Sequence, residues 1–150
     1  NPNNLFPDRS YKNLELDLRQ YLKVGEKKVL AANFYIGKEE GQSIPFQFLN
    51  KLGGGSALRG YLSGRYRDKA MSYAQLDYRA DFMEKFSYSF FAGLGVVAAN
   101  TDSLLDNRRR HTIGAGLHYI ADQESRQKIR LDVGIGEDDI GVYVVFNEGF

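Results

Sequence analysis

Apolar and polar residues alternate with a period of two in seven separate runs between Leu14 and Phe150. The first, LELDLRQYLKV, sets Leu14, Leu16, Leu18, Leu22 and Val24 on one face and Glu15, Asp17, Arg19, Tyr21 and Lys23 on the other. Helical spacing would scatter both sets around an axis, so the run predicts a strand. Gly25, Glu26 and Lys27 make a short turn, and Leu30, Ala32, Phe34 and Ile36, opposite Asn33, Tyr35 and Gly37, complete a hairpin. A third run places Ala74, Leu76, Tyr78, Ala80 and Phe82 against Tyr73, Gln75, Asp77, Arg79 and Asp81. The remaining four cover 87–99, 111–120, 128–136 and Ile140 to Phe150. Each is about 9–11 residues long, enough for a tilted strand to cross a bilayer. Residues 41–69 carry no such alternation and predict one long loop. The fold class expected is all-β and antiparallel, in a single domain over 1–150, with 1–9 a loop or partial strand because two prolines and clustered Asn/Asp interrupt it.

Alternation fits two architectures that are inside-out versions of each other. A soluble lipocalin-like carrier turns its apolar face inward around an apolar ligand, whereas a transmembrane barrel turns it outward to lipid. Mean hydropathy is negative and 43% of residues are hydrophobic. Those averages suit a soluble domain and a barrel equally, since only alternate barrel residues meet lipid. Three observations favour the membrane version: the polar face carries glycine and charges of both signs, which can pair across neighbouring strands inside a lumen, the apolar face is Leu, Ile, Val and Ala with rings, and the last residue is Phe. Ten Tyr and ten Phe supply rings near several strand ends, and the absence of Trp removes the early Gly-x-Trp of lipocalins. With no cysteine there is neither a disulfide framework nor a thiolate metal site. The chain opens on Asn1 without a charged-then-apolar leader, so it reads as mature, processed or cut.

Within the long loop stands LGGGSALRGY, residues 52–61. A Gly-rich run ending in Arg-Gly-aromatic resembles the loop motif of the BamA/TamA superfamily of outer-membrane assembly factors and two-partner-secretion transporters, also called the bacterial surface antigen family. The closing segment IGVYVVFNEGF is similar to the signal with which outer-membrane barrels end, an amphipathic strand closing on an aromatic residue. The resemblance runs from about Leu14 to Phe150 and implies the C-terminal barrel portion, or a dwarf member without periplasmic domains. It identifies Gly53, Gly54, Leu58, Arg59, Gly60 and Tyr61 as the loop motif, with Arg59 folded into the barrel. It also implies an acidic partner on the following strand, and Leu76-Asp77-Tyr78 matches that context, with Asp77 on the polar face by alternation as well. Gly141, Tyr143, Phe146 and Phe150 fall in the closing strand signal. One departure stands out: where the family often carries a second aspartate, this chain reads Phe90-Phe91-Ala92-Gly93, which leaves Arg59 short of acceptors.

If Phe150 ends in the periplasm, counting back puts the long loop outside the cell. Seven strands is odd, and a single-chain bacterial barrel needs an even number. The expectation is a transmembrane antiparallel β-barrel of about eight strands, seven of them readable, closed by a hidden strand or by pairing with a second copy. A closed barrel that small is filled by side chains and leaves no protein-conducting pore.

Other chemistry is thin. His118 faces the polar side beside Ser87 and Ser89, but no Gly-x-Ser-x-Gly elbow exists and the only other histidine is His111, so no catalytic residue, metal site or cofactor is expected. Gly53-Gly54-Gly55 lacks the Gly-Lys-Ser/Thr ending and following helix of a phosphate-binding loop. Asp138-Asp139 reads as a solvated turn. Arg108-Arg109-Arg110 lies in an extracellular loop, either facing lipopolysaccharide phosphates or balanced by Asp102 and Asp106. A net charge of +1 gives nucleic-acid binding no support. The function the resemblance implies is insertion or translocation of outer-membrane or secreted proteins from the bacterial outer membrane. Expected partners are outer-membrane lipid including lipopolysaccharide, the barrel assembly machinery, and a second copy of the chain. Two alternatives accompany it, a small structural or lipid-binding barrel and the soluble apolar-ligand carrier.

Overall fold

A computed structural model describes residues 12–41, 44–122 and 127–146. The sequence expectations for 1–9 and for Phe150 lie outside the described residues. Among the described residues nine strands form: β1 (Lys12–Gly25), β2 (Lys28–Glu40), β3 (Asn50–Leu52), β4 (Tyr66–Asp68), β5 (Ala70–Met83), β6 (Phe86–Ala98), β7 (Arg110–Asp122), β8 (Gln127–Gly136) and β9 (Ile140–Phe146). Seven of them make one antiparallel sheet in the order β1-β2-β5-β6-β7-β8-β9. These are the seven alternating runs. Several extend beyond the expected bounds, because terminal pairs such as Lys12 with Glu40 and Asn13 with Glu39 continue the ladder through charged residues that show no apolar alternation.

One expectation needs correction. The loop is not featureless, since β3 and β4 pair within it from Asn50–Asp68 to Leu52–Tyr66. Their three-residue length hides the period-two signal. The sheet holds the seven strands that the alternation makes readable, and among the described residues β1 and β9 are its two edges and do not pair with each other. It does curl: Tyr21 and Lys23 on β1 line one cavity of about 480 Å³ together with Lys128 on β8.

Burial is opposite to that of an ordinary soluble sheet. Asn33, Gln75, Asp77, Ser89, Thr112, His118, Arg130 and Asp132 are buried on the concave face. Their apolar neighbours are exposed on the convex face, with Phe90 58%, Ile113 62% and Val142 64% accessible. The loop fills the concavity. Leu52, Leu58 and Tyr61 from the loop pack with Met71 and Tyr73 of β5, and Tyr35 of β2 stacks on Tyr73 at 5.2 Å. That cluster buries the inner face at one end of the sheet.

Strand β1 is exposed on nearly all of its length. Its alternate N–H groups point away from β2 and have no ladder partner among the described residues. Hydrogen exchange of the monomer should therefore be fast at those edge amides and at least about tenfold slower in β6, which is paired on both sides. Equal protection of β1 and β6 would mean that another strand covers the β1 edge.

Candidate functional site: the loop arginine and its strand partners

The loop reaches the concave face through a tight turn that the sequence builds from glycine. Gly53, Gly54 and Gly60 take φ of +106°, +105° and +118°, and Leu58 between them takes +58°. Leu58 holds this sparsely populated conformation because the Gln75 side chain clamps the turn. The Leu58 N–H donates to Gln75 Oε1 (2.9 Å), and Gln75 Nε2 donates to the Ser56 carbonyl (3.0 Å). Gly60 must be glycine on a second count, close approach. A Cβ there would stand 2.5 Å from Thr112 Oγ1 and 3.1 Å from the Gly136 nitrogen, and on the facing strand a Cβ on Gly134 would stand 2.7 Å from the Gly60 nitrogen and 2.8 Å from the Arg59 carbonyl carbon. Glycine on the polar face therefore serves as the seat of the loop.

Arg59 is 1% exposed. One arm of its guanidinium, Nη2, donates to Asp77 Oδ2 on β5, as the sequence anticipated. The other arm, Nη1, donates to Asp132 Oδ2 on β8 at 2.8 Å, and the guanidinium carbon sits 3.7 Å over the Phe91 ring. The second acidic partner, which the resemblance would put on β6, is thus made good from β8, two strands further round the sheet's curl. The sequence carries no signal for Asp132, because Lys128, Arg130 and Asp132 form a plain alternating polar face, and only the curl of the sheet brings β5 and β8 to one guanidinium. Neighbouring charges join the pair: Arg79 Nε lies 3.1 Å from Asp77 Oδ1 and Arg130 Nε 2.9 Å from Asp132 Oδ2. Arg130 Nη2 also donates to the Gly55 carbonyl (3.0 Å).

The backbone at and beside Arg59 is held by two further strand residues. Thr112 Oγ1 on β7 donates to the Arg59 carbonyl. On β9 the Tyr143 hydroxyl accepts from the Gly60 N–H (3.0 Å) and donates to the Tyr61 carbonyl (2.8 Å). Tyr143, expected as part of a closing strand signal, is here a loop anchor, and its ring crosses Gly141, where a Cβ would stand 2.7 Å from Tyr143 Cε2. Phe146 ends β9 on the convex side, 73% exposed. The Tyr61 hydroxyl donates to the His111 carbonyl (2.7 Å) and accepts from the Glu137 N–H (3.0 Å), tying the loop to the rim. Burial raises the Tyr61 pKa, so the phenol stays protonated and able to donate.

Rim charges differ from the sequence expectation. Arg108 and Arg110 pair with Glu137 at 2.9 and 3.4 Å, not with Asp102 or Asp106. Asp139 is paired with Arg65 of the loop instead of being merely solvated. These partners come from loops distant in sequence, so charge spacing along the chain could not reveal them. Desolvation works against the Glu137 carboxylate, but the hydrogen bonds and charge of Arg108 and Arg110 outweigh it and hold its pKa below the ordinary 4.5.

The buried Ser89, His118 and Asp132 do not form a nucleophile relay. Ser89 Oγ (3.2 Å) and Asp132 Oδ1 (3.7 Å) both approach the same His118 nitrogen, Nε2, whereas a relay needs the acid and the nucleophile on opposite nitrogens. Ser89 is also fully buried. No protein-family model matches the chain, and no curated protein matches it.

Arg59→Ala leaves Asp77 and Asp132 buried without their shared cation and should cost about 3–5 kcal/mol, read by urea unfolding and by faster proteolysis between residues 50 and 68. Gly134→Ala should release the loop with similar cleavage while keeping the ion pairs chemically intact. Cleavage unchanged in both variants would refute loop anchoring at this seat. For pH the sign follows from the depressed Glu137 pKa: its contribution is complete above the ordinary carboxylate range and is lost as pH falls through it. Cleavage by an acid-active protease should rise below about pH 4.5, and Glu137→Gln should show the raised cleavage already at neutral pH.

Proposed function

We propose that the chain is a membrane-embedded β-barrel region of the BamA/TamA type, which assists insertion or translocation of outer-membrane or secreted proteins in the bacterial outer membrane. The observation that carries this reading is Arg59, a fully buried loop cation held between carboxylates on two strands that face a polar interior. A sheet with charge inside and Leu, Ile, Val and Phe outside needs an apolar solvent on its convex face. The burial pattern runs against an inward-apolar carrier, in which the ligand-facing side would be free of such charges. The loop seat then acts as a brace. It ties β5, β7, β8 and β9 together and leaves β1 and β2 as the half of the sheet with fewest constraints.

Closure follows from the same premise. Unpaired backbone groups cost several kcal/mol each in hydrocarbon, so the β1 and β9 edges require strand partners there. We assign those partners to a second copy of the chain, making a larger barrel from two sheets. A detergent-corrected mass of two chains, with slow exchange at the β1 edge, is the expected result. A single-chain mass with a protected β1 edge would assign closure to a strand of the same chain.

The functional test presents an unfolded outer-membrane barrel to phosphatidylcholine vesicles with and without this protein and follows its folding by protease protection. Wild type should accelerate folding and Arg59→Ala should lose most of that acceleration. Equal rates with and without the protein would overturn the assembly role and favour the structural or lipid-binding barrel.

A further inference from the structure

The segment between β6 and β7 folds outward, over the convex face, instead of inward as the long loop does. A 3-10 turn (Asp102–Leu104) begins there, and the Asn100 side chain accepts from the Ser103 N–H (2.9 Å) and hydroxyl (2.7 Å). Asn107 Nδ2 donates to the Val97 carbonyl (2.9 Å), so the segment is pinned at both ends. Leu104 is buried against Ala70 and Ala98 on the outer side of the sheet. Between the segment and the strands runs a groove of about 450 Å³ lined by Phe34, Ile36, Leu94, Val96, Leu105 and Arg109.

Alternation splits the three arginines between two sides. Arg108 and Arg110 are paired with Glu137. Arg109 turns to the groove, and among the described residues it forms no ion pair, Asp102 and Asp106 included. An apolar trough with one unneutralised guanidinium at its rim has the chemistry of an amphiphile site. A guanidinium also suits a phosphate group better than a carboxylate-free apolar wall suits the guanidinium.

We propose that this groove binds a phosphorylated acyl lipid, its chain along Phe34 and Leu94 and its phosphate on Arg109. The inference rests on the membrane reading above and names the lipid contact on the side of the long loop. The lipid would fill the trough that the outward-folded segment makes, and the phosphate would neutralise the cation that Glu137 does not reach.

The test uses the purified full chain reconstituted in phosphatidylcholine vesicles containing a minor share of phosphatidic acid. Lipids retained through mild extraction are counted by native mass spectrometry, and alkali-resistant flotation is read on the same samples. Wild type should retain phosphatidic acid preferentially, and Arg109→Gln should lower that retention about fivefold, whereas Lys51→Gln, at an exposed side chain of β3, should not. Leu105→Ser, which alters the groove wall without touching charge, should also lower it. Floating protein with equal retention in Arg109→Gln overturns the groove site and leaves the membrane reading standing. Protein that does not float overturns both. Displacement of the retained lipid by inorganic phosphate alone overturns the acyl part of the site.

Discussion

A guanidinium that has left water must keep its charge, and everything around Arg59 is arranged to meet that requirement. It cannot shed its proton, so removing it from solvent is tolerable only with carboxylates and acceptors at close range. Asp77 and Asp132 supply them from β5 and β8. Because these strands are separated by two others in the sheet, one side chain satisfies both only if the sheet curls. The ion pairs and the curvature therefore depend on each other. Arg130 and Arg79 add cations to the same cluster, giving three arginines to two aspartates, and the backbone carbonyl of Gly55 and the ring of Phe91 take part of the excess.

The glycines make this arrangement sterically feasible. An arginine tip can bridge strands only if its own backbone approaches the sheet, and the approach at Gly134 leaves no space for a side chain. Thr112 and Tyr143 then satisfy the backbone groups that such burial removes from water. Polar residues on the inner face thus serve two ends, partners for charge and partners for loop backbone. The apolar convex face and the charged concave face are consequences of the same period-two sequence.

Much of this was legible in the chain before any coordinates. The seven main strands, their faces and the loop between the second and third appear in the alternation, since a strand's side-chain direction is fixed by parity alone. Asp77 opposite Arg59 was also readable, because the loop motif and the parity of Leu76-Asp77-Tyr78 agree. Less visible were β3 and β4, each three residues long and too short for a period to register.

What the sequence by itself determined is which residues face which side, because parity is a local property of each strand. Only the tertiary structure decided which inner-face residues meet. Asp132 as the second acceptor, Gln75 as the clamp of the turn, Tyr143 as a loop anchor and Glu137 as the partner of Arg108 and Arg110 all join segments far apart in sequence. Their meeting depends on the sheet's curl and on the path of the loop across it. Curvature accumulates over many strands and has no signature in any one of them.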